Sequence, residues 1–81
     1  MGLTVEQASG RVDRWDAIAG ETRWVDYAHQ ESGGDLVVYV HTFRRVRERH
    51  DLTRDVVLWK PATTSVARRY AAGEWTAVAN V

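Results

Sequence analysis

The sequence predicts a small α+β domain over residues 1–81, with an N-terminal helix packed on a small antiparallel sheet in the order α-β-β-β-α-β. Three observations support this prediction: an apolar stripe that follows a helix-capping pattern, two runs of β-branched and aromatic residues, and a second helix-like segment that ends at Gly73. The alternative fold is one helix followed by an all-β meander or small barrel, in which residues 66–70 pair with residues 75–81.

The first helix is predicted over residues 5–19. Thr4-Val5-Glu6-Gln7 has the form of a capping box, in which the Thr hydroxyl and the Gln side chain satisfy exposed backbone N–H groups. Steps of three and four residues then draw one apolar stripe, formed by Val5, Ala8, Val12, Trp15 and Ile18. Gly20 is the expected end of the helix.

The next two elements are predicted to form a β-hairpin. Residues 22–29 favour extended structure through their Trp, Val and Tyr side chains. Residues 36–40 form an apolar run that continues into a group of arginines, and the polar, Gly-containing residues 31–35 join the two strands as a turn.

The C-terminal third is predicted as a loop, a strand, a helix and a last strand. The loop covers residues 50–55, and Val56–Trp59 is a strand that ends at Pro61. Residues 63–72 form a helix capped by its first three residues, and residues 75–81 form the last strand.

The charge is unevenly distributed along the chain, although its total is zero. Residues 1–40 hold three arginines and seven acids, whereas residues 41–81 hold eight cations and four acids. The C-terminal half should therefore attract an anionic partner. Cysteine is absent, which excludes disulfides, thiolate zinc sites and cysteine nucleophiles.

The composition also bears on location and chemistry. The N-terminus lacks the basic and apolar regions of a signal peptide, and the longest strongly apolar run is too short to span a bilayer. A cytoplasmic protein with no membrane partner is expected. His29, His41 and His50 stand at no metal-ligand spacing, so we expect no metal, cofactor or small-molecule substrate, and no enzymatic activity.

An arginine cluster follows the second predicted strand, in the segment Phe43-Arg44-Arg45-Val46-Arg47-Glu48-Arg49-His50. In a strand, the two-residue period places on one face His41, Phe43, Arg45, Arg47 and Arg49. In a helix, Arg45 and Arg49 lie one turn apart. The predicted partner-binding residues are Phe43, Arg44, Arg45, Arg47, Arg49 and Arg54, supported by Arg68 and Arg69.

This surface predicts a small non-enzymatic binding module that engages an anionic partner, either nucleic acid or a nucleoprotein complex. Guanidinium groups beside an aromatic ring suit phosphate contacts combined with base stacking. The same charges would also suit a solvated edge strand that resists aggregation. The alternative function is a protein–protein interaction module, such as an inhibitor, an accessory subunit or a self-assembling protein of a mobile element, because oppositely charged halves permit head-to-tail association into homo-oligomers.

Two C-terminal segments resemble parts of nucleic-acid-binding folds. Residues 63–72 are similar to the last helix of double-stranded RNA-binding domains, but Thr64 and Ser65 stand where that family has the lysines that contact phosphate. RNA binding is therefore not implied. Residues 66–78 resemble the recognition helix and wing of excisionase-type winged-helix proteins, in which the helix enters the major groove. Neither similarity assigns the chain to a family.

Overall fold

Every strand of the computed structural model belongs to one of two antiparallel sheets. The structure describes residues 2–51 and 54–81, with side chains for residues 2–48 and 55–81. The described residues form no helix and seven strands, which are β1 (Leu3–Gln7), β2 (Val12–Trp15), β3 (Ile18–Ala19), β4 (Arg23–Ser32), β5 (Asp35–Asp51), β6 (Arg54–Tyr70) and β7 (Trp75–Asn80). The strand order is β2-β1-β7 in one sheet and β3-β4-β5-β6 in the other. The fold is all-β, so the predicted α+β class is wrong.

The residues predicted as the first helix form β1, β2 and β3 instead. Leu3 and Val5 are buried while Glu6 is exposed, which is the alternation of a strand. Gly10 lies in the turn after β1 with a φ of 92°, a conformation that glycine adopts without steric penalty. Pairing with β2 on one edge and β7 on the other satisfies the backbone groups of β1. This long-range pairing overrides the local helix signals.

The predicted hairpin is confirmed. Strands β4 and β5 pair from Ser32 and Asp35 at the turn to Arg23 and Arg44 at the far end. The turn places Gly33 and Gly34 at φ values of 60° and 87°. The hairpin is longer than the sequence suggested, because β5 continues through the arginine cluster to Asp51.

Strand β6 replaces three predicted elements. The loop predicted over residues 50–55 belongs to β5 and β6 wherever it is described, and residues 52 and 53 lie outside the described residues. Pro61, predicted to end a strand, lies inside β6, which is an edge strand and therefore tolerates proline. Residues 63–70 of the second predicted helix also belong to β6, so both resemblances that require a helix there are wrong.

The last strand, β7, pairs with β1 and not with β6. The alternative fold, with its N-terminal helix and its hairpin of residues 66–70 and 75–81, is therefore wrong as well. Two residues of β6, Ala62 and Ala67, have no partner on β5, and each shifts the register by one position. Such bulges change which side chains face each side of a sheet.

The core lies where the two sheets meet and is small. It consists of five fully buried side chains, Leu3, Val5, Leu36, Val38 and Tyr70. Trp15 and Trp75 pack against it, whereas Trp24 and Trp59 lie elsewhere on the four-stranded sheet. Only two of the four tryptophans therefore contribute to the core.

A carboxylate network connects the two sheets beside this core. Asp13, on β2, accepts hydrogen bonds from the Tyr70 hydroxyl at 2.5 Å, the Gln7 amide at 2.8 Å and the Arg68 guanidinium at 3.0 Å. The Tyr70 hydrogen bond, aided by Gln7 and by the Arg68 and Arg11 charges and opposed by desolvation, holds the pKa of Asp13 below its ordinary value. Burial, together with Asp13, raises the pKa of Tyr70.

The molecule is elongated because β5 and β6 extend past the rest of the fold. Beyond the Arg23–Arg44 pair, where β4 begins, β5 pairs in the ladder only with β6. We call the described part of this segment, residues 44–51 and 54–60, the arm. The molecule measures 57 × 21 × 14 Å, and its radius of gyration is 16.6 Å, against about 12 Å for a compact domain of this length. A large share of the chain therefore lies outside the core.

Candidate binding surface on the arm

One face of the arm and of its base combines aromatic and arginine side chains. Cross-strand partners point to the same side of a sheet, and the register pairs Phe43 with Trp24 and Arg45 with Trp59. Arg47 lies two residues further along β5, on the same side. We call these five residues, Trp24, Phe43, Arg45, Arg47 and Trp59, the aromatic–arginine face.

Three rings of this face form a continuous cluster. The ring centroids of Trp24 and Phe43 are 5.2 Å apart, and those of Trp24 and Trp59 are 6.2 Å apart in an edge-to-face arrangement. These separations lie in the range in which aromatic pairs attract one another. Trp59 is the outermost ring of the cluster and remains 38% exposed. The cluster therefore presents a partly exposed aromatic surface to solvent.

The arginines of the arm whose side chains are described are divided between its two faces. Arg45 donates from Nη1 to the carbonyl oxygen of Glu21 at 3.3 Å. Arg44 points to the opposite face, next to its cross-strand partner Lys60, which forms an ion pair with Glu48. Arg44 and Arg47 form no ion pair among the described residues. The side chains of Arg49 and Arg54 lie outside the described residues.

The predicted alternation is confirmed for Phe43, Arg45 and Arg47, which share one face. His41 lies on the same face, and its Nδ1 is 2.9 Å from the Thr64 hydroxyl. Sequence reasoning missed Trp24 and Trp59 as members of this surface. The sequence contained a signal for Trp59. The four consecutive apolar residues Val56–Trp59 cannot all face one side of a two-stranded ribbon, so apolar side chains must lie on both of its faces.

The second predicted basic site lies far from the arm. Arg68 is bound to Asp13 and lies 4.4 Å from the centroid of the Tyr70 ring. Arg69 is exposed, and its partner on β5 is Val37. Val37 and Arg45 are eight residues apart on β5, which corresponds to about 26 Å. Arg68 and Arg69 therefore do not belong to the arginine surface of the arm.

The opposite face of the four-stranded sheet contains an open cavity of about 580 Å³. Its lining includes aliphatic and hydroxyl groups, among them Ile18, Val25, Val40, Thr42 and Thr63. The hydroxyls of Thr42 and Thr63 are hydrogen-bonded to each other across β5 and β6. The two hydroxyls are therefore already bonded to each other within the sheet. Arg23 is the cationic residue of the cavity lining.

The remaining polar groups show no assembled catalytic or metal centre in the part of the chain that the structure describes. No group of three or more His, Asp or Glu side chains there could hold a metal ion. Nδ1 of His29 and Nε1 of Trp15 are buried without a hydrogen-bond partner among the described residues. No helix long and apolar enough to cross a membrane is found in residues 2–51 and 54–81.

Comparisons with known proteins add no further assignment. No protein-family model, curated protein or solved structure matches the chain significantly. The arm and its aromatic–arginine face are therefore the features of the described chain that bear most directly on function.

Proposed function

We propose that the protein is a non-enzymatic binding module that engages a protein partner through the aromatic–arginine face of its arm. The observation that carries this proposal is the cluster of Trp24, Phe43 and Trp59 beside Arg45 and Arg47, on an arm that the rest of the fold leaves uncovered. Trp, Tyr and Arg dominate the binding energy of protein interfaces, and aromatic residues are enriched there.

The solvent-accessible surface area of the protein is larger than that of a compact monomer, which supports a partner that covers part of the chain. The accessible surface is 5727 Å², whereas a compact monomer of 9.2 kDa exposes about 4,900 Å². The excess of roughly 800 Å² equals the area that each partner contributes to an interface of standard size. A partner that covers the arm would bring the exposed surface to the value of an ordinary globular protein.

Apolar side chains on both faces of the arm favour protein over a purely ionic partner. Val57 and Trp59 lie on the aromatic–arginine face, while Val46 and Leu58 pair on the other. Val57 and Trp59 are exposed, and Val46 and Leu58 are only partly buried. An isolated two-stranded hairpin is marginally stable in water. Contact with apolar groups of a partner would stabilise the arm as well as the complex.

The test is affinity capture from the natural host with tagged wild-type protein, Trp59→Ala and the control Val12→Ala. Val12 is an exposed apolar residue of the other sheet. We expect one stoichiometric protein with the wild type and Val12→Ala, and its loss with Trp59→Ala, while circular dichroism shows all three folded. Equal capture by Trp59→Ala and wild type would contradict the proposal.

Nucleic acid is the second candidate, favoured by Arg47, which forms no ion pair among the described residues and lies on the same face as rings on which bases can stack. A two-stranded ribbon also fits the major groove of DNA. Binding of single- and double-stranded oligonucleotides should then weaken steeply with salt, and Arg47→Glu should reduce the slope by about one counterion. No binding at low salt would exclude this candidate.

A further inference from the structure

The charges of the protein are separated along its long axis. The arm carries six cations and three acids, Arg44, Arg45, Arg47, Arg49, Arg54 and Lys60 against Glu48, Asp51 and Asp55. The opposite end of the four-stranded sheet consists of two turns, residues 31–35 and 71–75, which hold three acids and no cation. We call these two turns the acidic end. Counting Arg69, which lies just before it on β6, still leaves this end negative.

The two turns of the acidic end form one surface. Asp35 accepts a hydrogen bond from the backbone N–H of Ala72 at 2.9 Å, and the Trp75 indole donates to the carbonyl oxygen of Gly34 at 3.0 Å. Glu31 and Glu74 are exposed and form no ion pair among the described residues. Their carboxylates are therefore available to a cationic partner.

The arm and the acidic end cannot neutralise each other within one chain. Strand β5 runs from Asp35, at the acidic end, to Asp51 in the arm. Its 17 residues span roughly 55 Å at about 3.3 Å per residue. Interactions between exposed charges decay over about 8 Å at physiological ionic strength. The complement of each end is therefore met only on another molecule.

We propose that the partner of the arm is a second copy of this chain, with the arm of one copy bound to the acidic end of the next. This inference rests on the proposed function and specifies its partner. The net charges of the two ends are opposite in sign, +3 for the arm and −3 for the acidic end, or −2 when Arg69 is counted, and the uncovered arm supplies apolar surface for the contact. The contact joins different surfaces of the two copies, so it repeats and produces a ring or a filament.

Contact between two arms is disfavoured by the same charges. An arm–arm dimer through the aromatic–arginine face would bring Arg45 and Arg47 of both copies together, and like charges in an interface oppose association. Head-to-tail contact instead places these arginines opposite Glu31 and Glu74. The proposal therefore predicts that both ends of the molecule matter equally for assembly.

The test is sedimentation velocity of the full chain at about 20 mM and about 500 mM salt, where the Debye length falls from about 20 Å to about 4 Å. The arm-reversed variant is Arg44→Glu/Arg47→Glu, and the end-reversed variant is Glu31→Arg/Glu74→Arg. The control, Arg14→Glu, changes an exposed residue of the other sheet. Wild type and control should form oligomers at low salt that dissociate at high salt.

Each reversed variant alone should dissociate with a constant raised by about tenfold or more. An equimolar mixture of the two should again form a complex, because the native arm of one meets the native acidic end of the other. Wild type that is monomeric at low salt would overturn self-assembly, and so would an end-reversed variant that assembles like wild type. If host capture still recovers a different protein that depends on Trp59, the proposed function survives that failure.

Discussion

Removal of one hydroxyl group, in Tyr70→Phe, should strongly destabilise the fold. Tyr70 is fully buried, and its hydroxyl donates to the Asp13 carboxylate, which is only 12% exposed. The substitution keeps the ring in the core and removes only this bond. It therefore measures how much the link between the two sheets contributes to the free energy of unfolding.

The expected loss follows from the charge of the acceptor. Hydrogen bonds to charged groups contribute about 1.5–3 kcal/mol. Asp13 keeps its bonds from Gln7 and Arg68, so the carboxylate is not left unpaired, and we expect a loss of about 2 kcal/mol. For a domain of this size, that corresponds to a fall in Tm of roughly 8–16 °C.

Urea unfolding followed by tryptophan fluorescence measures this difference, with Tyr39→Phe as the matched control. The Tyr39 hydroxyl makes no hydrogen bond among the described residues, so this control should lie within about 0.5 kcal/mol of wild type. A loss in Tyr70→Phe no larger than that of Tyr39→Phe would refute the assigned role of the Asp13 network.

The pH dependence gives a second test of the same network. A carboxyl group whose pKa is lower in the folded protein stabilises the fold above its unfolded pKa, and this contribution is lost as the pH falls through the folded pKa. For Asp13 the loss occurs below about pH 4. Tyr70→Phe removes the largest cause of the lowered pKa, so its difference from wild type should shrink in that range. A difference that stays constant down to pH 2 would contradict this assignment.

Three further predictions concern the turn and the arm, all measured by urea unfolding. Gly34→Ala should cost about 1–2 kcal/mol, since Gly34 has a φ of 87° and the new Cβ would lie 3.1 Å from that of Ala72; Gly33→Asn should be nearly neutral at a φ of 60°. Equal losses would contradict this. Trp59→Ala should cost under about 1.5 kcal/mol, because Trp59 is 38% exposed. Lys60→Met should change stability by under about 0.5 kcal/mol, because its ion pair is exposed.

The first predicted helix shows that local sequence patterns do not always determine secondary structure. Residues 5–19 fit a helical apolar stripe, but Leu3 and Val5 fit strand alternation equally well over so short a stretch. The choice is made by β7, whose residues Trp75–Asn80 supply the partner of β1. No local pattern near the N-terminus contains that information, because tertiary pairing decides between two weak preferences.

The arginine surface was partly predictable for a related reason. Strand alternation is a local property, so it correctly placed Phe43, Arg45 and Arg47 on one face. The addition of Trp59 depends on the register between β5 and β6, which shifts by one residue between Arg49 and Asp51, on the turn side of the Arg45–Trp59 pair. A bulge of this kind leaves no clear mark in the sequence, and the aromatic half of the surface was therefore missed.

The pairing of β1 with β7 also has a consequence for the order of folding. Leu3 pairs with Asn80, so this contact closes a loop of almost the entire chain, whereas β4, β5 and β6 are neighbours in sequence. Loop closure over long separations is slow, and hairpins form within about 1–10 μs. During synthesis, β1 can pair with β7 only after β7 has left the ribosome. Formation of the β1–β7 pair should therefore be a late and slow step of folding.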